Sequence, residues 1–309
     1  MVKILIADKL HPAFKEKAQK LGYLVDDCPD YSREQTLSVI HEYDGLAIRT
    51  KFNIDREIME AATRLRFIAR AGAGMDNIDE QFARERNISC INAPEGNRDA
   101  VAEHALGLLL SLMNNLKKGD TEIRNGYWDR EGNRGVELMG KTVGIIGYGF
   151  MGQAFARRLS GFGVNVIAYD KYKTGFSDEY ANEASMEQIV KQSDILSLHI
   201  PLTRETRQMV DDEYLFHFRK PIWFLNTARG EIVNTQALLK AVRNGKIAAA
   251  GLDVLESEKF PALGQQPWFD ELVNCGKVLL SPHVAGWSVE SYRKISEVLG
   301  EKLEKLRLT

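Results

Sequence analysis

The chain has 309 residues, a net charge of −2, a pI near 6.3 and a charged fraction of 27%. That length suits two domains better than one core, and the near-neutral charge excludes a general polyanion binder. Three cysteines, Cys28, Cys90 and Cys275, show no metal-ligand spacing and cannot all pair; they read as reduced thiols of a cytoplasmic protein.

The opening Met-Val-Lys-Ile-Leu-Ile-Ala-Asp is too short for a signal peptide and reads as a first strand, Lys3–Ala7. No apolar run reaches membrane-spanning length. A helix follows over His11–Leu21, with Pro12 in its first turn. The pattern then predicts a helix over Ser32–His41, a strand over Gly45–Ile48, a helix over Asp55–Ala62 and a strand over Phe67–Ala69. Such alternation means parallel strands joined by crossover helices. The apolar stripe Ala100–Leu116 predicts a helix linking two domains, and Lys117–Glu137 is polar with little periodicity.

A second series predicts strands at Thr142–Ile146, Val164–Tyr169, Ile195–Ile200, Ile222–Asn226, Ala248–Asp253 and Val278–Leu280. Helices lie between most of them, among them Thr235–Asn244, which stops at Gly245. Gly264–Pro267 marks a loop. The amphipathic helix Glu290–Leu306 is expected to return to the first domain. The chain shows no internal repeat.

The first of these strands carries the sharpest signal. Gly144-Ile-Ile-Gly-Tyr-Gly-Phe-Met-Gly152 runs from an apolar strand through a glycine turn into a helix, and the next strand ends at Asp170. Gly147 permits the tight turn, Gly149 clears the approach to a pyrophosphate, and Gly152 lets the helix sit against the sheet. The helix that begins at Phe150 and Met151 points unpaired N–H groups and its positive dipole end at phosphates. A carboxylate at Asp170 accepts ribose hydroxyls and repels a 2′-phosphate, which favours NAD over NADP; Lys171 and Lys173 directly follow and soften that preference.

In such sheets ligands bind beyond the C-terminal strand ends. The polar residues there are Arg70 through Asp76, His199 to Pro201, Thr227 to Gly230, Glu256 through Lys259, and Pro282-His283. An arginine can hold a carboxylate and polarise a carbonyl, a histidine can exchange a hydroxyl proton, and a glutamate can orient the imidazole.

The chain resembles the D-isomer-specific 2-hydroxyacid dehydrogenases. The resemblance rests on Arg70–Asp79 (RAGAGMDNID), Ala100–His104 (AVAEH), the glycine turn, His199–Thr206 (HIPLTRET), Asn226–Gly230 (NTARG), Gly251–Glu258 (GLDVLESE) and Ser281–Gly286 (SPHVAG), in the family's order. It implies a Rossmann-type doubly wound nucleotide-binding domain over residues 99–286. It also implies a smaller flavodoxin-like α/β substrate domain from residues 1–98 and 287–309, closing over a cleft. The last helix ends the chain, so no C-terminal regulatory domain is expected.

By resemblance, Arg229 binds the substrate carboxylate and carbonyl oxygen, His283 is the catalytic acid–base, and Glu258 is its partner. Ala73 and Gly74 offer backbone N–H groups to the carboxylate. His199, Pro201, Thr206, Thr227, Ala228, Asp253, Ala285 and Gly286 join Gly147, Gly149, Phe150, Met151, Gly152 and Asp170 around NAD; no metal is implied. His199 reads as cofactor-adjacent and His104 as a packing or hinge residue. Lys259 stands where the family often has proline, which leaves Glu258 a second possible partner.

Arg49, Arg70 and Arg130 match positions that contact a phosphorylated substrate in phosphoglycerate dehydrogenases, Arg130 reaching in from a partner subunit of a homodimer built through the NAD-binding domain. The implied reaction converts 3-phosphoglycerate to 3-phosphohydroxypyruvate in serine biosynthesis. Glyoxylate or hydroxypyruvate reduction, a D-lactate-type activity, and a weakly catalytic NAD-sensing binding protein remain alternatives.

Overall fold

The computed structural model describes residues 1–306 and 308. The chain divides into two units, Met1–Arg98 with Trp287–Thr309, and Asp99–Gly286. The first unit holds β1 (Lys3–Ile6), β2 (Leu24–Asp27), β3 (Gly45–Ile48), β4 (Phe67–Arg70) and β5 (Ser89–Asn92). They pair in parallel in the order β2-β1-β3-β4-β5.

Alternate strand residues face opposite sides of a sheet, and β1 shows the consequence. Ile4 and Ile6 pack with Phe14, Ala18, Ile295, Leu299 and Leu303, beneath the helices Pro12–Lys20 and Val289–Lys305. Leu5 turns the other way and packs with Leu46, Ile58, Met59 and Phe82. Lys17 Nζ bonds Glu304 Oε2 at 2.7 Å where the two helices meet.

The second unit holds β6 (Thr142–Ile146), β7 (Asn165–Tyr169), β8 (Asn182–Glu183), β9 (Ile195–Leu198), β10 (Ile222–Asn226), β11 (Ile247–Leu252) and β12 (Val278–Leu280). All are parallel, in the order β12-β11-β10-β9-β6-β7-β8. This is the doubly wound arrangement, with its switch point between β6 and β9, where a crevice opens beyond the strand ends. Ile145 and Phe155 anchor the core on one face, and Ile146, Leu198 and Phe224 that on the other.

The predicted strands and the observed ones differ at the sheet edges. β2, β5 and the two-residue β8 were not expected, and each ends or nearly ends a sheet: β2 and β5 bound the first, β8 the second. An edge strand has a neighbour on one side only, so its burial signal is weak; Leu24 is 51% exposed.

Two helix assignments also need correction. The helix expected over Ala100–Leu116 spans Pro94–Met113 and stops before Asn115, whose φ of 52° breaks it. The stretch expected to lack periodicity contains the helix Leu116–Arg124. Its apolar residues, Leu116 and Ile123, are exposed, so it has no core-facing stripe of the usual kind. Among the described residues no helix is long and apolar enough to cross a membrane.

Candidate active site

Every strand of the second unit ends at the same edge, and the chain beyond every end but that of β8 supplies one part of the site. After β6 comes the glycine turn. Gly147 has φ 93°, and a side chain there would meet the His199 carbonyl oxygen at 2.4 Å. A Cβ on Gly152 would lie 2.1 Å from the Gly147 carbonyl oxygen, so this glycine allows the helix Phe150–Leu159 to close on the turn. Gly149 differs: a Cβ there would meet nothing within 4 Å. Its missing side chain leaves open space in front of a helix start that no side chain caps.

Asp170 follows β7. Its oxygens accept the backbone N–H groups of Tyr148 at 2.9 Å and Tyr172 at 3.0 Å, which ties the acid to the glycine turn. A carboxylate has about four lone-pair positions, so capacity for hydroxyl donors remains. Lys171 pairs with Glu205, and Lys173 Nζ donates to the Tyr148 carbonyl at 2.8 Å. Neither lysine stands uncommitted beside Asp170.

Beyond β9, His199 Nε2 lies 2.9 Å from Ser197 Oγ, and its ring packs on Phe155 at 5.4 Å. Burial pushes the imidazole down to about 4, so it is neutral in ordinary buffers. Thr206 Oγ1 closes the following loop by donating to the Pro201 carbonyl at 2.8 Å.

After β10, Asn226 is 1% exposed and shapes the turn that carries Arg229. Its amide donates to the Arg229 carbonyl at 2.9 Å and accepts the Ala228 N–H at 3.0 Å. Arg229 donates to the Ala228 carbonyl at 2.6 Å. Thr227 Oγ1 is buried with no hydrogen-bond partner among the described residues. A Cβ on Gly230 would lie 1.9 Å from the Leu255 carbonyl carbon, so the arginine turn presses directly on the chain beyond β11.

That chain carries two glutamates with different work. Glu256 accepts the Thr235 N–H at 2.8 Å and the Gln208 amide at 3.0 Å. Glu258 Oε2 lies 2.7 Å from His283 Nδ1. Lys259 makes no side-chain bond to Glu258 among the described residues; its carbonyl accepts the Leu263 N–H at 2.8 Å.

His283 itself is a non-glycine residue at φ 53°, a backbone state costing about 1–2 kcal/mol. Asp253, 1% exposed, holds it there. Its carboxylate accepts Ser281 Oγ at 2.6 Å and the N–H groups of Val284 and Ala285 at 3.0 and 2.9 Å. Its carbonyl accepts the His283 N–H at 2.8 Å. His104 Nε2 lies 2.8 Å from Ser281 Oγ. The serine hydrogen already points to Asp253, so His104 carries its proton on Nε2.

The first unit places Arg49 just past β3 and Arg70 at the end of β4, on neighbouring strands. Arg70 folds across Gly72, whose φ is 147° and whose missing Cβ would lie 1.7 Å from the guanidinium. Ala73 and Gly74 lie in the loop beyond. Among the described residues their N–H groups donate to no other group, while the Ala73 carbonyl accepts the Asn92 amide at 2.6 Å. Arg130 is exposed and lies elsewhere: its segment borders a cavity of about 740 Å³ lined by Trp223, Ala248 and Val278, at the starting ends of β10, β11 and β12. Within one chain it stands at the opposite end of those strands from His283.

Comparison with known proteins settles the family. The family model described as D-isomer specific 2-hydroxyacid dehydrogenase, NAD binding domain, matches residues 106–285. The chain belongs to the D-isomer-specific 2-hydroxyacid dehydrogenases. It is 34% identical to a D-3-phosphoglycerate dehydrogenase of Methanocaldococcus jannaschii over 99% of its own length, and spans 57% of that protein. It is 36% identical to a hydroxypyruvate reductase of Thermotoga maritima, over 88% of each chain. A glyoxylate reductase from Paecilomyes thermophila superposes with a TM-score of 0.87 and 28% identity, covering 98% of this chain and 94% of the other.

The cofactor of the matched domain is NAD, and the second unit fits it. Open space at Gly149, the uncapped start of Phe150–Leu159, Asp170 and the unpartnered Thr227 hydroxyl are the features such a ligand needs. Phe150, Met151 and Gly152 present the helix start, and Ala228, Ala285 and Gly286 lie on the turns that carry Arg229 and His283. Sequence reasoning missed Trp287, whose ring lies 3.3 Å from the Arg49 guanidinium; nothing local in sequence joins the two.

This geometry makes three predictions. Gly149→Ala should leave the melting temperature within about 1 °C and weaken NADH binding roughly tenfold, measured by fluorescence titration. Gly152→Ala should instead destabilise the fold by about 1–3 kcal/mol, because backbone must move to make room. His199 is expected to make stability pH-dependent. Below pH 6.5 the unfolded imidazole takes up a proton that the folded one refuses until about pH 4, so stability falls as pH drops through that window, by up to roughly 3 kcal/mol. His199→Gln should flatten the melting temperature across pH 6.5 to 4; an unchanged slope would remove His199 as its cause.

Proposed function

We propose that the protein interconverts a D-2-hydroxyacid and its 2-oxoacid with NAD, and that the substrate is phosphorylated, 3-phosphoglycerate going to 3-phosphohydroxypyruvate in serine biosynthesis. The observation that carries the chemistry is the Glu258–His283 contact at 2.7 Å beside the turn of Arg229. Bound nicotinamide supplies hydride exchange at substrate C2. In the oxidative direction, His283 Nε2 takes the hydroxyl proton as C2 loses its hydride; in reduction the same nitrogen returns a proton to the carbonyl oxygen. Glu258 on Nδ1 keeps Nε2 as the working nitrogen and faces the charge that arises on the ring. Arg229 pairs with the carboxylate and polarises the carbonyl; the N–H groups of Ala73 and Gly74, which donate to no other group among the described residues, are donors suited to a carboxylate oxygen as well.

Arg49 and Arg70, from adjacent strand ends, support the phosphorylated substrate, since two guanidinium groups suit a dianion. The relatives' names divide between phosphoglycerate, hydroxypyruvate and glyoxylate, so substrate choice rests on these side chains. The alternative, a reductase of glyoxylate or hydroxypyruvate, needs neither arginine.

We infer further that two copies join through the NAD-binding unit in the cytoplasm. Leu116, Ile123, Tyr127, Trp128, Val136 and Met139 are all large, apolar and exposed within one segment, and a patch of that kind marks an interface. Arg130 lies in the same segment, and on this reading it serves the partner's site.

His283→Ala should cut kcat by about 10²–10⁴-fold while NADH affinity stays within about twofold. Initial rates with NADH on 3-phosphohydroxypyruvate, hydroxypyruvate, glyoxylate and pyruvate test the substrate. The phosphorylated acid should lead, and joint replacement of Arg49 and Arg70 by Gln should raise its KM at least about tenfold without affecting glyoxylate. No turnover of any 2-oxoacid would favour an NAD-sensing binder. For assembly, light scattering should give a dimer that Ile123→Asp with Trp128→Asp converts to monomer; a wild-type monomer would overturn it.

A further inference from the structure

Arg49 is held by every handle except its guanidinium N–H groups. Asp8 Oδ2 accepts the N–H groups of Arg49, Thr50 and Lys51 at 3.0, 3.0 and 3.1 Å, fixing the backbone beyond β3. The Asn77 amide donates to the Arg49 carbonyl at 3.2 Å. The guanidinium carbon sits 3.3 Å from the centroid of the Trp287 ring. Tyr292 packs edge-on with that ring at 5.3 Å, and His11 packs edge-on with Tyr292 at 5.4 Å.

The guanidinium nevertheless makes no hydrogen bond or ion pair among the described residues. Burial pushes it below its ordinary value although Asp8 and Tyr292 pull the other way, so it is a partly desolvated cation with no carboxylate in ion-pair contact among the described residues. Stacking occupies the face of a guanidinium and leaves its planar fork of donors available, the geometry that matches phosphate two bonds at a time. Trp287 is not there to fill a core: 43% of it is exposed.

We propose that Trp287 is a specificity-determining residue, holding the Arg49 guanidinium face-on so that its N–H edge receives the phosphate of a phosphorylated 2-hydroxyacid. This rests on the assignment of Arg49 to substrate in the proposed function. A substrate without phosphate gains nothing from the stack, so the effect of Trp287 separates by substrate. Because the carboxylate and the reacting carbon are held by other residues, the effect falls on KM and not on kcat. Cation–π contacts of this kind correspond to factors of about 5 to 30 in affinity.

The test is kinetics of the full chain with NADH on 3-phosphohydroxypyruvate and hydroxypyruvate, which differ only in the phosphate. Trp287→Leu should raise KM for the phosphorylated acid about tenfold, leaving its kcat and both constants for hydroxypyruvate within about twofold. Trp287→Phe, which keeps a ring, should recover most of the loss. Should Trp287→Leu fail to fold, Trp287→His gives the same comparison with a smaller ring.

Equal losses on both acids, or a fall in kcat, would make Trp287 merely structural and overturn the proposal. If Arg49→Gln raises KM for the phosphorylated acid and Trp287→Leu does not, the stack is irrelevant and the substrate role of Arg49 survives. If neither substitution moves KM, the assignment of Arg49 fails and this inference fails with it. An unmodified enzyme that does not prefer the phosphorylated acid overturns both.

Discussion

A single buried carboxylate, that of Asp253, organises the chemical end of the NAD-binding unit. It lies at the end of β11 with no exposed surface to speak of, and burying a carboxylate is costly unless donors surround it. The donors are a serine hydroxyl and two backbone N–H groups of the loop after β12. To satisfy the acid, the loop from Ser281 to Ala285 must wrap around it, and His283 accepts a left-handed backbone as a result. That wrapping sets the imidazole opposite Glu258. The same residue's N–H donates to the Asn226 carbonyl, so the turn bearing Arg229 is tied to the same point. His104 extends the arrangement through Ser281 to the helix Pro94–Met113.

Parallel sheets make this economy possible. Because all strands of a unit run the same way, their C-terminal ends share one edge, and short loops there bring residues far apart in sequence together. In the second unit that edge gathers the glycine turn, Asp170, His199, Arg229, Glu258 and His283. In the first it gathers Asp8, Arg49 and Arg70. The starting ends of β10 to β12 have a different character: an apolar hollow and, beside it, a segment of exposed apolar side chains.

Neighbouring residues of like type divide their work by what surrounds them. Glu256 and Glu258 are two positions apart, yet the first caps the start of the helix Thr235–Arg243 and only the second reaches the histidine. His199 and His283 divide likewise. His199 is desolvated, with no charged partner to offset its burial, which keeps it neutral; His283 is half exposed and faces a carboxylate.

Much of this was legible in the sequence, for physical reasons that are local. The glycine turn announces itself because Gly147 answers a local positive φ and Gly152 the carbonyl of Gly147 five residues before it, and the central strands announce themselves by being apolar along their whole length, as Gly45–Ile48 is. The order of the motifs carries the family and, with it, the expectation of NAD. Edge strands β2, β5 and β8 were not legible, since half-buried strands lose the apolar run. The helix Leu116–Arg124 was not either, because its apolar side faces no core of its own chain. Contacts between distant residues were decided by tertiary structure alone. Only folding shows that Glu256 is committed elsewhere, that Lys171 and Lys173 already have partners, and that Trp287 lies against Arg49. Sequence determines which chemical groups are available and near which strand ends; which of them meet depends on packing across more than two hundred residues of intervening chain, as between Arg49 and Trp287.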